Sequence, residues 1–165
     1  MELKDAAARY RRLAGELREA ALRGVRAAAA RGVQAIVSEI VPSRSPQPVD
    51  RGLYRAGWKW EPTPDGADVY NSEPHAAFIE HGVRGSNVRI GRAMIAALAG
   101  WVLRKRLATP TEATSRAWAI ARSMQRRGIF RGGQGFGIMA EFRTRLARRF
   151  VAEEVREEIA RLAGH

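Results

Sequence analysis

Val49-Asp50-Arg51-Gly52-Leu53-Tyr54-Arg55-Ala56-Gly57-Trp58-Lys59-Trp60 runs through Pro62-Thr63-Pro64-Asp65-Gly66 into Ala67-Asp68-Val69-Tyr70-Asn71. The stretch reads as two strands, Leu53–Trp60 and Ala67–Asn71, joined by a turn. Proline fixes φ, and Asp-Gly tolerates the dihedrals a hairpin turn demands. Alternation along the first strand puts Tyr54, Ala56, Trp58 and Trp60 on the face expected to point to the core. Next comes Pro74-His75-Ala76-Ala77-Phe78-Ile79-Glu80-His81-Gly82, a turn and short helix expected to bury Ala77, Phe78 and Ile79. Pro74 suits a first turn, and Gly82 is expected to close the helix in a left-handed conformation.

Outside this stretch the patterns are helical. Leu3–Ile40 reads as one helix, with Tyr10, Leu13, Leu17, Ala21, Val25, Ala29, Val33, Ile36 and Ile40 at helical spacing. Gly15, Gly24 and Gly32 each weaken it by about 1 kcal/mol relative to alanine. At about 1.5 Å per residue the helix would reach about 55 Å, more than a small core can cover. Its apolar stripe is therefore expected to pack in part on a neighbouring subunit. Val41-Pro42 ends it, because a residue before proline is pushed out of the helical region. Ser43–Pro48 is a polar connector, and Val83–Ile90 reads as a mobile loop.

Three further helices complete the chain. Arg92–Arg106 aligns Ile95, Leu98 and Val102 on one face. Thr109-Pro110-Thr111-Glu112 is a capping box that starts a helix burying Ala113, Ala117, Ile120, Ala121 and Met124. Ile138–Ala163 turns Phe142, Leu146, Phe150, Val155, Ile159 and Leu162 inward. The fold class is α+β: a small antiparallel hairpin clasped by a long N-terminal helix and several C-terminal helices. One domain is expected over residues 1–165, with a helix at 1–41, the hairpin and short helix at 49–82, and a basic helical region at 91–163.

The net charge is +12, from 29 Lys and Arg against 17 Asp and Glu. Gly82–Phe150 carries 15 of the basic residues and only Glu112 and Glu141 as acids, so the remainder is almost neutral. Such a segment can meet phosphates or an acidic protein surface, or simply form a solvated face. No apolar run approaches the roughly 20 residues that span a bilayer. The first residues carry charges rather than a signal-peptide core. Cysteine is absent, which excludes disulfides and thiolate metal sites and fits synthesis in a reducing compartment.

Catalytic constellations are hard to assemble from these residues. His75, Glu80 and His81 are the one cluster of suitable types, but their spacing does not put two histidines on one helical face as a zinc helix requires. They are read as packing or interface groups. Gly132-Gly133-Gln134-Gly135-Phe136-Gly137 lacks the Gly-Lys-Ser/Thr of a phosphate loop and reads as a flexible connector presenting Phe130 and Phe136 for assembly. No serine sits in a nucleophile elbow. Glu153, Glu154, Glu157 and Glu158 form a stripe expected to face solvent or another subunit, with Arg149–Glu153 and Glu157–Arg161 as i,i+4 pairs. The reading is of a non-enzyme without cofactor or metal. Arg84, Arg89, Arg92 and Arg131 are the candidate contacts to DNA or a partner.

Val49–Trp58 resembles the first strand of the neck and tail-completion proteins of long-tailed bacteriophages, the minor tail component family, whose members favour Pro-Val-Asp-Thr-Gly-x-Leu-x-x-Ser. Asn71 followed by Pro74–Gly82 is similar to their Tyr-Ala-x-x-Val-Glu-x-Gly. Trp101–Leu107 and Ala117–Ile129 add weaker likenesses, so the resemblance covers most of Val41–Phe150. Arg51 stands where relatives have Thr, and Gly57 where they have a small polar residue. The resemblance implies a virion structural protein of the head–tail junction, made in the bacterial host cytoplasm. It implies a homo-oligomeric ring around the DNA channel, with six copies as one option, between head-closure or adaptor and tail-tube proteins. Domesticated relatives serve gene transfer agents. The alternative reading is a small non-specific DNA-binding protein.

Overall fold

A computed structural model describes residues 3–44, 52–130 and 133–164. The connector from Ser45, the motif start Val49-Asp50-Arg51, and the candidate Arg131 with Gly132 lie outside them. The elements are α1 (Leu3–Ala35) continued by a π turn (Ile36–Ile40), α2 (Leu53–Ala56), β1 (Trp58–Thr63), β2 (Gly66–Asn71), α3 (Ala76–His81), α4 (Arg92–Arg104), α5 (Ala113–Arg127), α6 (Ile138–Phe142), a second π turn (Arg143–Ala147) and α7 (Arg148–Ala163). The chain is an α+β protein: a long N-terminal helix, a two-stranded antiparallel sheet and C-terminal helices. It divides into two compact units, Met1–Pro74 with Ile138–His165, and His75–Gly137.

In the first unit α1 lies along α7 and carries the hairpin on its flank. The seam is built from small residues: Ala20, Ala28 and Ala35 are buried, as are Gly24 and Gly32. A Cβ at Gly24 would stand 2.6 Å from Val155 Cα and 2.7 Å from its backbone nitrogen. One at Gly32 would meet the Phe142 ring at 2.6 Å. These glycines weaken the isolated helix but let the last helix lie close, so tertiary contact overrides propensity. Ile36, Ile40, Val41, Ile138, Phe142, Leu146 and Phe150 fill the end of the unit where the two π turns sit.

The hairpin has the expected strand order, with Trp60 opposite Val69 and Thr63 opposite Gly66. Its turn rests on the middle of α1, where Arg18 pairs with Asp65 at 3.2 Å and a Cβ on Gly66 would lie 3.7 Å from Val25 Cγ1. The first strand begins later than the alternation predicts. Gly52 takes φ 77°, and the chain then makes one helical turn in which the Ala56 and Gly57 amides donate to the carbonyls of Gly52 and Leu53. Within a helical turn residues four apart share a face, so Tyr54 and Trp58 are both buried and meet edge-to-face at 5.9 Å. Trp60, on the true strand, is 37% exposed. Asn71 locks this join: its Nδ2 donates to the Tyr54 carbonyl at 2.8 Å, and its Oδ1 accepts from the Glu73 amide at 3.0 Å. Gly57 is needed here because a Cβ would fall 2.5 Å from that same Oδ1.

Part of the glutamate stripe of α7 pairs with α1. Glu153 and Glu157 stay exposed and form the expected i,i+4 pairs with Arg149 and Arg161, but Glu153, Glu154 and Glu158 also reach arginines of α1. Glu158 accepts from Arg23 Nε at 2.9 Å, while Glu153 and Glu154 accept from Arg31 Nη1 at 2.8 and 3.0 Å. Arg31 also lies over the Phe150 ring, 4.2 Å from its centroid. Arg44 and Arg145 both grip Glu141. The Arg23 hydrogen bond, followed by the charges of Arg161 and Arg23, holds the Glu158 carboxyl below its ordinary value of about 4.5. Its stabilising effect is therefore present above the ordinary carboxylate range and is lost as pH falls through the lower folded-state value. The expected result is an acid-side loss of α1–α7 stability that Glu158→Gln reduces, read from thermal unfolding between pH 7 and pH 3.

In the second unit α4 and α5 pack together, with Ile95 against Ala117 and Ala121 and with Ile90, Met94, Leu98 and Ala99 around them. The start of α5 is half of the expected capping box. The Glu112 carboxylate accepts from the Thr109 amide at 3.2 Å and its hydroxyl at 2.7 Å, which lowers the Glu112 pKa. The helix itself begins at Ala113, three residues after the Pro110 expected to open it. α3 buries only Ile79 of its expected apolar side; Ala77 is exposed and Phe78 is 56% exposed.

Candidate functional site

Three features carry functional information, and the first is the free half of α1. The seam positions Tyr10, Leu13, Leu17, Ala20 and Gly24 repeat at alternating spacings of three and four, the spacing of a helix-pairing face. From Ala20 onward that face is buried. Ahead of Ala20 it is open: Tyr10 is 73% exposed, Leu13 46% and Leu17 39%. Every described residue from Ala8 to Glu19 is exposed. From Tyr10 the apolar pattern thus outruns its covering among the described residues by about three turns.

The second feature joins the ends of α3 and α5. Each ends on a glycine with positive φ and extended ψ, Gly82 at 71° and −179°, and Gly128 at 83° and 173°. This is not the left-handed conformation expected of Gly82 but a region open essentially to glycine alone. The next residues then pair: the Val83 amide donates to Ile129 O at 3.2 Å and the Ile129 amide to Val83 O at 2.8 Å. Phe136 and Gly137 amides donate to the carbonyls of Ile79 and Glu80, at 2.9 and 3.1 Å, and so satisfy the C-terminal end of α3. The backbones cross so closely that a Cβ on Gly82 would lie 2.4 Å from Gly135 N, and one on Gly135 2.3 Å from Glu80 O. The described glycines of the expected flexible connector, Gly133, Gly135 and Gly137, therefore serve close approach. Phe136, expected as a surface assembly contact, is 4% exposed and packs on Phe130, whose ring centroid is 5.5 Å away. Phe130 remains partly exposed.

The third feature is a basic end of the second unit. Residues 85–87 form a 3-10 turn seated on the last turn of α5: a Cβ on Gly85 would lie 2.3 Å from Gln125 O, and Gln125 Nε2 donates to Val88 O at 3.4 Å. Arg84 and Arg89 flank that turn, so the structure brings them to one end of α5. Because Ile95 packs on Ala117 and Ala121, the start of α4, with Arg92, lies beside the second half of α5. Arg122 and Arg126 stand one turn apart on α5 and Arg127 follows, all exposed. Sequence reasoning found the first three arginines and missed those on α5. Their signal was available, since both fall opposite the buried Ala113, Ala117 and Ala121 stripe.

No protein-family model, no curated protein and no solved structure matches this chain.

Other groups offer less. His75 accepts the Phe78 and Ile79 amides through its carbonyl at the start of α3, and His81 is the last residue of that helix. Among the described residues no group of three or more His, Cys, Asp or Glu side chains is placed to hold a metal ion. A shallow open cavity lined by Arg31, Gln34, Ser38, Glu39, Arg149 and Phe150 lies in the first unit. Its two arginines are turned to Glu153 and to the Phe150 ring. No described helix is long and apolar enough to cross a membrane.

Proposed function

We propose that this chain is a structural virion protein of a tailed phage or phage-like particle, acting at the head–tail junction as a ring around the DNA channel. The observation that carries the reading is the exposed pairing face of α1 ahead of Ala20. A helix face of Tyr10, Leu13 and Leu17 left in water is a binding surface awaiting another subunit. The likeness of Val49–Trp58 and Pro74–Gly82 to neck and tail-completion proteins supports the same role. In the ring, homotypic contacts would sit between head-closure or adaptor proteins and the tail tube.

Because the chain contains no cysteine, Leu13→Cys introduces a single reporter. Treatment of purified particles with a bifunctional thiol reagent is expected to join copies of this protein to each other or to a neck neighbour. A second variant, Leu13→Glu, is expected to leave the monomer folded, since the position is exposed, and to yield unjoined heads and tails. Normal particles from Leu13→Glu would contradict the reading.

A second reading, a small non-specific DNA-binding protein, is favoured by the second unit, where 11 basic residues face only Glu80 and Glu112. Duplex binding by a chain that never co-purifies with heads or tails would favour it over the neck role.

A further inference from the structure

We infer that the α5 end of the second unit is a nucleic-acid site, with Arg84, Arg89, Arg92, Arg122 and Arg126 contacting the phosphates of duplex DNA without reading its sequence. It rests on the geometry of that unit alone, so its failure would leave the neck reading standing.

Four observations converge on this end. The 3-10 turn at 85–87 and the Val83–Ile129 bridge anchor Arg84 against the end of α5, close to Arg126. Packing of Ile95 on Ala121 brings Arg92 to the same place, and Gln125 ties Val88, the neighbour of Arg89, to α5. The supporting backbone is stiffened by glycine-mediated close contacts, so the cations are held on a fixed frame and not on a loose loop. The fourth observation concerns anions. Of the two carboxylates in the unit, Glu112 is engaged by Thr109 before the first turn of α5, about 20 Å along the helix from Arg126. In the first unit Arg18, Arg23, Arg31, Arg44 and Arg161 each meet a carboxylate of the same unit.

The chemistry favours a polyphosphate backbone over base edges. The five arginines come from two loop positions and two packed helices, so no single helix presents them all as a recognition element. Guanidinium groups suit this task because they keep their charge and present paired donors to phosphate oxygens. Trp118, 43% exposed with Arg122 at 5.9 Å from its ring, borders the cluster.

The test uses the full chain and a 20-base-pair duplex of arbitrary sequence, followed by fluorescence anisotropy from 50 to 200 mM salt. Four to five phosphate contacts give a log–log salt slope near −4, a loss of a few hundredfold in affinity over that range. Arg122→Gln with Arg126→Gln is expected to make the slope shallower by about 2, while Arg11→Gln with Arg12→Gln on α1, the same change in charge, leaves it almost unchanged. Circular dichroism checks the fold of both variants. If the α5 variant unfolds, Arg89→Gln with Arg92→Gln takes its place with the same expected change. Absence of duplex binding at 50 mM salt would overturn the inference, and would be the outcome if the face docks an acidic protein instead. A slope that the control pair lowers as much as the α5 pair would overturn it equally.

Discussion

Gly82→Ala is expected to unfold the second unit while the α1–α7 pair stays folded. The alanine must adopt φ 71° with ψ −179°, a conformation costing about 1–3 kcal/mol for a residue with a Cβ. Its methyl would also lie 2.4 Å from Gly135 N and 2.5 Å from Gly133 C, both backbone atoms that no side-chain rotation can move aside. Overpacking of that kind adds about 1–3 kcal/mol. The sum, about 2–6 kcal/mol, is comparable to the whole stability expected of a unit this small. Amide exchange read by mass spectrometry should show Val83, Ile129 and the C-terminal turn of α5 losing protection together, with α1 and α7 unchanged. Gly135→Ala should reproduce the pattern, since its Cβ would meet Glu80 O at 2.3 Å. Retained protection of Val83 and Ile129 in both variants would remove the close-packed junction from the account.

The second large effect is a change of sign within one helix. Gly15→Ala should stabilise the chain by about 1 kcal/mol, because nothing lies within 4 Å of the added methyl and alanine is the better helix former. Gly24→Ala should destabilise it by about 1–2 kcal/mol net. There the helix gain is opposed by a methyl 2.6 Å from Val155 Cα, which can be relieved only by moving α7 away from α1. Such a shift would also stretch the Arg23–Glu158 and Arg31–Glu154 hydrogen bonds. Thermal unfolding of the two variants side by side, at pH 7, measures a difference of about 2–3 kcal/mol if the seam is as close as described. Equal gains would mean that α7 does not lie on Gly24.

The contrast between these glycines shows what the sequence makes legible. Helical periodicity located α1, α4, α5 and the last helix, and Pro-Asp-Gly located the hairpin, because those signals act between residues a few positions apart. Gly15, Gly24 and Gly32 look alike at that range; only the approach of Val155 and Phe142, more than 100 residues away, separates them. The same holds for Gly82 and Gly135, whose conformations are imposed by backbones meeting from distant parts of the chain. Leu53–Ala56 misled because apolar residues at 54, 56, 58 and 60 fit alternation, whereas the contact between Tyr54 and Trp58 fits a turn of helix. The glutamates of α7 read as a stripe facing solvent or another subunit, because Arg23 and Arg31, the partners of Glu153, Glu154 and Glu158 on α1, belong to the other end of the chain. Of the basic site, Arg84, Arg89 and Arg92 were legible as cations on loops and at a helix start. Arg122 and Arg126 gain meaning only when the 3-10 turn is laid against α5.

The central claim is that this protein works by surface and shape, as one copy among several where a capsid meets its tail. Electron cryo-microscopy of the necks of particles built with and without this chain tests it most directly. The account predicts a ring of copies around the channel, with the Tyr10–Leu17 face of each α1 covered by a neighbour, and unjoined heads and tails when the chain is missing. Intact particles that form and deliver their DNA normally in its absence would contradict it.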